Sequence, residues 1–349
     1  MLGALLVGAL ILAVLLGPHL PAVRSSVLTV ALVPELINLP IRPLSAATAE
    51  PVRISTTYGT PADRMDIYLP AGATEGARLP GVVLALGVHP QPIDHPDVTG
   101  IASSISRIGV VVGVPDSTAL RNLVLTAAEP AHLADAALVL SSRPEVDPAR
   151  VGLAGFSAGA SIALIAAADE RIAEELSFVS AFGGYADAEE LLVDVATNSA
   201  VVDGSIREWP ADTGIRTDIA QLLTGAGESD VDSIATGRLL SATDRHAAQD
   251  AVATLSPGLR AQLRALSPVN FAGKIEAPVF ILHGERDTAI PVGHAATLAS
   301  AIGDEVVRVT RFGRFGHGQP GASGLGIDDA GDILALSVYL RDIVAAATE

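Results

Sequence analysis

Residues 150–168 read RVGLAGFSAGASIALIAAA. An apolar run, 151–154, ends at Gly155-Phe156-Ser157-Ala158-Gly159, and a stretch of small helix formers follows at once. This pattern predicts a buried strand, a very sharp turn and a helix, with Ser157 at the apex. The residue types fit the geometry. Ser157 must adopt strained backbone angles so that its hydroxyl stands clear of the main chain. Side chains at 155 and 159 would collide with the adjoining strand and helix, so both positions are glycine. The helix that starts here aims its unpaired N–H groups, and their partial positive charge, at the place where negative charge would develop.

A serine hydroxyl becomes nucleophilic only when a base takes its proton, and a histidine base needs a carboxylate to fix its tautomer. A serine on such a turn takes its acid and then its base from later in the chain. The apolar run PVFILHG (278–284) opens into Glu285-Arg286-Asp287-Thr288-Ala289-Ile290-Pro291. Asp287 therefore falls in a loop at the carboxyl end of a strand, where catalytic groups of open α/β sheets collect. Glu285 shares that loop and is the next candidate for the acid. After a further strand at 306–312 comes Gly316-His317-Gly318, whose glycines let the imidazole reach in. Of the other histidines, His283 sits inside a strand and reads as a packed core residue. His246 and His294 fall on helices and read as surface or cap groups. His19, His89, His95 and His132 precede the serine. The oxyanion needs two N–H donors: the amide of Ala158, and one from the loop after the third strand. That loop is Leu86-Gly87-Val88-His89-Pro90, where Gly87 permits a close approach and the amide of Val88 is the expected donor; His89 could instead line the pocket.

Around this centre, short apolar runs alternate with helical patterns. RISTTYG (53–59) and MDIYLP (65–70) read as an antiparallel pair turning at Pro61. GVVLALG (81–87) and IGVVVGVP (108–115) are unbroken apolar runs, typical of strands covered on both faces. LSFVSAFGG (176–184) is a further strand, and helices are expected at 98–108, 131–143, 292–302 and 328–347. The alternation predicts parallel βαβ units in a doubly wound sheet. Residues 186–268 break the rhythm. They are acidic, helical in pattern and without a clear strand, so they are expected to form a helical cap over the sheet edge.

The chain of 349 residues carries 22 Lys and Arg against 39 Asp and Glu, a net charge of −17. That excludes a basic nucleic-acid footprint. With no cysteine, disulfides, thiolate metal sites and cysteine nucleophiles are excluded together. No metal-ligand motif appears, and neither a metal nor another cofactor is expected.

The motifs GFSAG (155–159), SPVNFAGKIEAPVFILHGERDTAIPV (267–292) and FGHG (315–318) resemble those of the α/β-hydrolase superfamily over roughly residues 52–348. The middle segment is similar to dienelactone-hydrolase-like proteins and to the catalytic domains of prolyl-oligopeptidase-type peptidases. The resemblance implies an α/β fold with a mostly parallel, eight-stranded sheet and no cofactor. It also implies Ser157 as nucleophile, Asp287 as acid and His317 as base. The expected reaction is hydrolysis of a small-molecule carboxylic ester, with an apolar acyl group, through an acyl-enzyme. Two other readings stand beside it: a peptidase or amidase using the same residues, and a catalytically silent, membrane-anchored scaffold.

The amino-terminal region is expected to meet a membrane. Residues 2–17, LGALLVGALILAVLLG, are apolar throughout, and residues 1–23 read as a membrane anchor or a secretory signal. The chain would then be held at the cell membrane or secreted. Residues 24–51 read as an apolar, membrane-associated linker, because SVLTVALVPELINLPI (26–41) is a second apolar stretch interrupted by Pro34 and Glu35. The hydrolase domain is placed at 52–349.

Overall fold

The computed structural model describes residues 21–37, 39–88, 93–226, 230–313, 316–317 and 330–348. Helices α1 (Pro21–Leu36) and α2 (Pro43–Ala47) lead into strands β1 (Val52–Tyr58), β2 (Asp63–Leu69) and β3 (Leu79–Ala85). Then come α3 (Pro96–Arg107), β4 (Val111–Asp116), α4 (Thr118–Arg121), α5 (Glu129–Ser141), β5 (Val146–Phe156), α6 (Ala158–Ala166) and β6 (Leu176–Phe182). The insertion contributes α7 (Ala188–Thr197), β7 (Ser199–Val202), β8 (Ser205–Glu208), α8 (Thr213–Ala226), α9 (Asp230–Leu240), α10 (Arg245–Ala253) and α11 (Pro257–Ala265). The chain returns through β9 (Val279–Gly284), α12 (Gly293–Ile302), β10 (Val306–Phe312) and α13 (Ala330–Thr348).

Eight strands form one sheet in the order β1-β2-β4-β3-β5-β6-β9-β10. β2 pairs antiparallel with both β1 and β4, and every pairing from β4 to β10 is parallel. The expected fold class, a mostly parallel sheet wound on both sides, is the one found. The apolar runs at 81–85 and 111–114 are buried along their length because helices cover both faces. One face packs on α5, α6 and α12 through Leu133, Leu140, Ala163 and Leu298. The alanines of α6 explain its closeness to the sheet: Ala160, Ala163 and Ala166 are fully buried, with no bulk to hold the helix away. The other face packs on α1, α3 and α13 through Leu32, Val98, Ala102 and Val344.

The insertion builds a separate apolar cluster from Leu191, Leu192, Trp209, Leu239, Val252 and Leu259. It differs from the expectation in holding a short antiparallel hairpin, β7–β8. Asp203 and Gly204 turn it, both with positive φ (51° and 76°), as an Asp-Gly hairpin turn requires.

The amino-terminal expectations fare differently. Residues 1–20 lie outside the described residues, so the anchor or signal at 1–23 is described only at its last three positions, which begin α1. The apolar stretch at 26–41 is described except at position 38. Its greater part is α1, which lies on α13 and α3 and buries Leu32 and Val33 within the protein, with Ile37 buried just beyond its end. Glu35, which interrupts the apolar run in sequence, is buried yet satisfied: it accepts from the Ser45 amide (2.9 Å) and the Ser45 hydroxyl (2.7 Å). Among the described residues, no helix is long and apolar enough to cross a membrane.

Candidate active site

Strand β5 delivers Ser157 to the carboxyl edge of the sheet with φ 55° and ψ −134°. A positive φ at a non-glycine residue is costly and persists only where its surroundings enforce it. Here the Ser157 amide donates to the Phe182 carbonyl at 2.8 Å, tying the turn to β6. The glycines on either side are required by space. A Cβ at Gly155 would stand 2.3 Å from the Gly159 carbonyl oxygen, and one at Gly159 would stand 2.2 Å from the Ala85 carbonyl oxygen.

Asp287 follows β9 and is 2% exposed. Its Oδ1 accepts from the amides of Ala289 (2.8 Å) and Ile290 (2.9 Å), which fixes the carboxylate plane. Its Oδ2 lies 2.8 Å from Nδ1 of His317, and Nε2 of His317 lies 2.7 Å from Oγ of Ser157. A carboxylate only accepts, so Nδ1 carries the proton, and Nε2 presents its lone pair to the serine hydroxyl. Ser157, His317 and Asp287 thus form one hydrogen-bonded line across 160 residues of sequence. Such a line can draw the proton from the hydroxyl and stabilise the imidazolium that results.

The two expected oxyanion donors lie differently. Ala158 is the first residue of α6, where an amide has no partner within its helix. Gly87 (φ 79°) packs against the turn: a Cβ there would stand 2.8 Å from the Gly159 amide nitrogen and 3.4 Å from that of Ala158. This brings the β3 loop beside the elbow, and half-buried Val88 follows Gly87. His89 lies outside the described residues.

The competing groups are placed elsewhere. Glu285 is exposed. His246 is exposed and faces Asp250. His283 is fully buried, donates from Nε2 to the Ile290 carbonyl at 2.9 Å, and is pushed down to about 4 by burial. His294, expected as a surface or cap group, is 4% exposed: Nδ1 accepts from the Ala186 amide (3.1 Å), and Nε2 faces Asp194 at 3.2 Å. It joins the insertion to the core. Sequence reading missed Trp209 and Gly183. The indole of Trp209 donates to the Asp287 main-chain carbonyl at 2.7 Å. Gly183 (φ 63°) lies beside Asp287 and His317, where a Cβ would stand 3.5 Å from Oδ2 of Asp287. Among the described residues, no group of three His, Asp or Glu could hold a metal ion.

The family model described as BD-FAE matches residues 140–302, just under half of the chain. No curated protein matches the sequence. Among solved structures, the chain is similar to an acylaminoacyl peptidase in complex with Z-Gly-Gly-Phe-chloromethyl ketone. That likeness has a TM-score of 0.58 and 14% identity, covering 85% of this chain and 42% of the other. It is also similar to a puromycin-hydrolyzing peptidase of Mycobacterium tuberculosis, at TM-score 0.51 and 17% identity, covering 84% and 38%. A third likeness is to a 2,6-dihydroxy-pseudo-oxynicotine hydrolase, at TM-score 0.57 and 14% identity, covering 85% and 69%. The chain spans about two fifths of the length of the two peptidases.

Proposed function

We propose that this chain, whose fold is consistent with the α/β-hydrolases, is a serine hydrolase cleaving carboxylic esters. The observation that carries the proposal is the line from Asp287 through His317 to Ser157, with spacings of 2.8 and 2.7 Å. Ser157 attacks the ester carbonyl while His317 takes its proton. The amides of Ala158 and Val88 receive the charge on the tetrahedral oxygen. His317 then protonates the departing alcohol, leaving an acyl-serine. Water, deprotonated by the same imidazole, attacks the acyl group, and the imidazolium returns that proton to the Ser157 oxygen as the acid is freed. Asp287 holds the imidazole in the useful tautomer and balances its charge throughout.

A second reading, cleavage of amide bonds by the same groups, is supported by the likeness to two peptidases. Matched p-nitrophenyl esters and p-nitroanilides of one acid separate the two: an ester hydrolase turns over the ester alone at a useful rate, and a peptidase accepts both. The shared chemistry is tested by Ser157→Ala. The variant should lose roughly 10³-fold or more in kcat/KM and all labelling by a fluorophosphonate, while its melting curve stays in place. Turnover that survives the substitution would remove Ser157 from the reaction. A wild-type protein that takes no fluorophosphonate would instead favour the silent scaffold.

A further inference from the structure

His283 is the next-to-last residue of β9 and stands four positions before Asp287. Its side chain is fully buried, yet it satisfies one ring nitrogen alone. Nε2 lies 2.9 Å from the Ile290 carbonyl oxygen. A carbonyl only accepts, so Nε2 carries the proton. Burial pushes the imidazole down to about 4, so it is neutral at neutral pH and Nδ1 holds a bare lone pair. Among the described residues, Nδ1 has no hydrogen-bond partner. A side chain that served packing alone would do better as an apolar group, because a stranded buried nitrogen is costly. What the nitrogen-bearing ring gains in return is the bond to Ile290.

That bond leads to the acid. The Ile290 amide donates to Oδ1 of Asp287 at 2.9 Å. Oδ2 of the same carboxylate takes the Nδ1 proton of His317 at 2.8 Å, and Nε2 of His317 lies 2.7 Å from Oγ of Ser157. Hydrogen bonds thus run in series from His283 to the serine, with Ile290 as the link between His283 and the acid. Nε2 of His283 is itself 3.6 Å from Oδ2 of Asp287, beyond hydrogen-bond reach, so the connection goes through the main chain.

The acid loop is held from two sides. The insertion holds its first part: the Trp209 indole donates to the Asp287 carbonyl at 2.7 Å, and the Asp212 amide donates to the Thr288 carbonyl at 2.8 Å. The sheet holds its far part, through His283 and the Ile290 carbonyl. A residue on a strand of the central sheet is a more rigid anchor than one on a loop.

We propose that His283 is a positioning residue for the triad: by holding the Ile290 carbonyl it fixes the amide that sets the plane of the Asp287 carboxylate, and so the orientation of His317. His283 can play this part only if Ser157, His317 and Asp287 react as proposed above, whether the bond cleaved is ester or amide.

The test compares the wild type with His283→Gln and His283→Met. The glutamine amide nitrogen falls near the place of Nε2, whereas methionine has nearly the same length and no donor. With p-nitrophenyl acetate, kcat of the methionine variant should fall about tenfold or more with KM nearly unchanged, as for a misoriented catalytic group. The glutamine variant should return to within about threefold of the wild type, because the donor is restored. The rate of fluorophosphonate labelling of Ser157 should follow the same order. Should the methionine variant fail to melt cooperatively, His283→Asn takes its place: its amide stops short of Ile290, so turnover should again fall. An unchanged kcat in a folded variant without the donor, or a glutamine variant no better than methionine, would overturn the assignment and leave packing as the whole role of the ring. A wild type that takes the fluorophosphonate but cleaves no ester would fail the ester reading alone, and the labelling rates would still decide the part played by His283. A wild type that does neither would defeat both.

Discussion

At Gly159 the space for a side chain is closed by main chain, and main chain cannot rotate aside. A Cβ would meet the Ala85 carbonyl oxygen at 2.2 Å and the Gly87 amide nitrogen at 2.5 Å. Gly159→Ala should therefore cost about 2 kcal/mol or more, since overpacking is relieved only by moving backbone. The piece that moves is the β3 loop carrying Val88, so ester turnover should fall together with the melting temperature. A variant that melts and turns over like the wild type would mean the loop has more freedom than its packing shows. His283 makes a second residue-scale prediction. Burial pushes it from 6.5 down to about 4. The folded value lies below the unfolded one, so stability is complete above pH 6.5 and is lost as pH falls toward 4, by about 1.4 kcal/mol per pH unit at most. Urea unfolding at neutral pH and near pH 5 should give a steeper loss for the wild type than for His283→Gln. Parallel losses would show that this imidazole does not set the dependence.

Among the elements, the hairpin β7–β8 and the loop after β9 depend on each other. Beyond β8, the Trp209 indole donates to the Asp287 carbonyl at 2.7 Å, and the Asp212 amide donates to the Thr288 carbonyl at 2.8 Å. Trp209→Phe keeps most of the ring and removes the donor, leaving a buried carbonyl unpaired at a cost of about 1–3 kcal/mol. The acid loop should loosen, so kcat should fall several-fold with KM nearly unchanged. An unaltered kcat would show that Asp287 needs no support from the insertion. Trp209 is the only tryptophan of the chain, so the wild-type emission spectrum reports directly whether this contact is shielded from water. The same elements show where the sequence was legible. The sheet strands could be read because burial on both faces leaves runs such as 81–85 without a polar residue. Ser157 could be read because the elbow admits only glycine at 155 and 159. Asp287 and His317 could be placed in loops because each follows an apolar strand run, and chain order then suggested which was acid and which base. The β7–β8 hairpin carried a local signal, Asp203-Gly204, that the surrounding helical pattern obscured. Trp209 carried none: its partner is a main-chain carbonyl 78 residues away, and no spacing rule reaches that far. Helix α1 shows where reading stops, because in sequence an apolar face looks the same whether lipid or another helix covers it.

In the whole molecule, a buried ion-pair network within the insertion reaches the core through His294. Arg245 on α10 reaches Asp194 on α7 at 2.6 Å, the Ser199 carbonyl at 2.6 Å, and Glu190. Asp194 in turn faces His294 on α12, so one connected polar network runs from the outer insertion to the helix that follows the acid loop. These groups are almost dry: the Arg245 side chain is 11% exposed and that of Asp194 3%. Burial already pushes the Glu190 carboxyl up, with Arg245 as the opposing influence. Removing the guanidinium strands the Asp194 carboxylate in a poorly solvated place, while Glu190, 37% exposed, keeps its contact with water. Arg245→Met should cost about 3–5 kcal/mol, although methionine restores much of the lost volume. Adding Asp194→Leu should return part of that loss, because the second change removes the charge the first one stranded. Calorimetry of the three proteins distinguishes the consequences. If insertion and core unfold as a unit, the single variant gives one transition at lower temperature. If this network is what couples them, an early transition separates from the main one and ester turnover disappears with it, since Trp209 leaves the acid loop at that point. A single variant that melts at the wild-type temperature would show that the apolar cluster around Leu192 and Leu239 holds the insertion unaided.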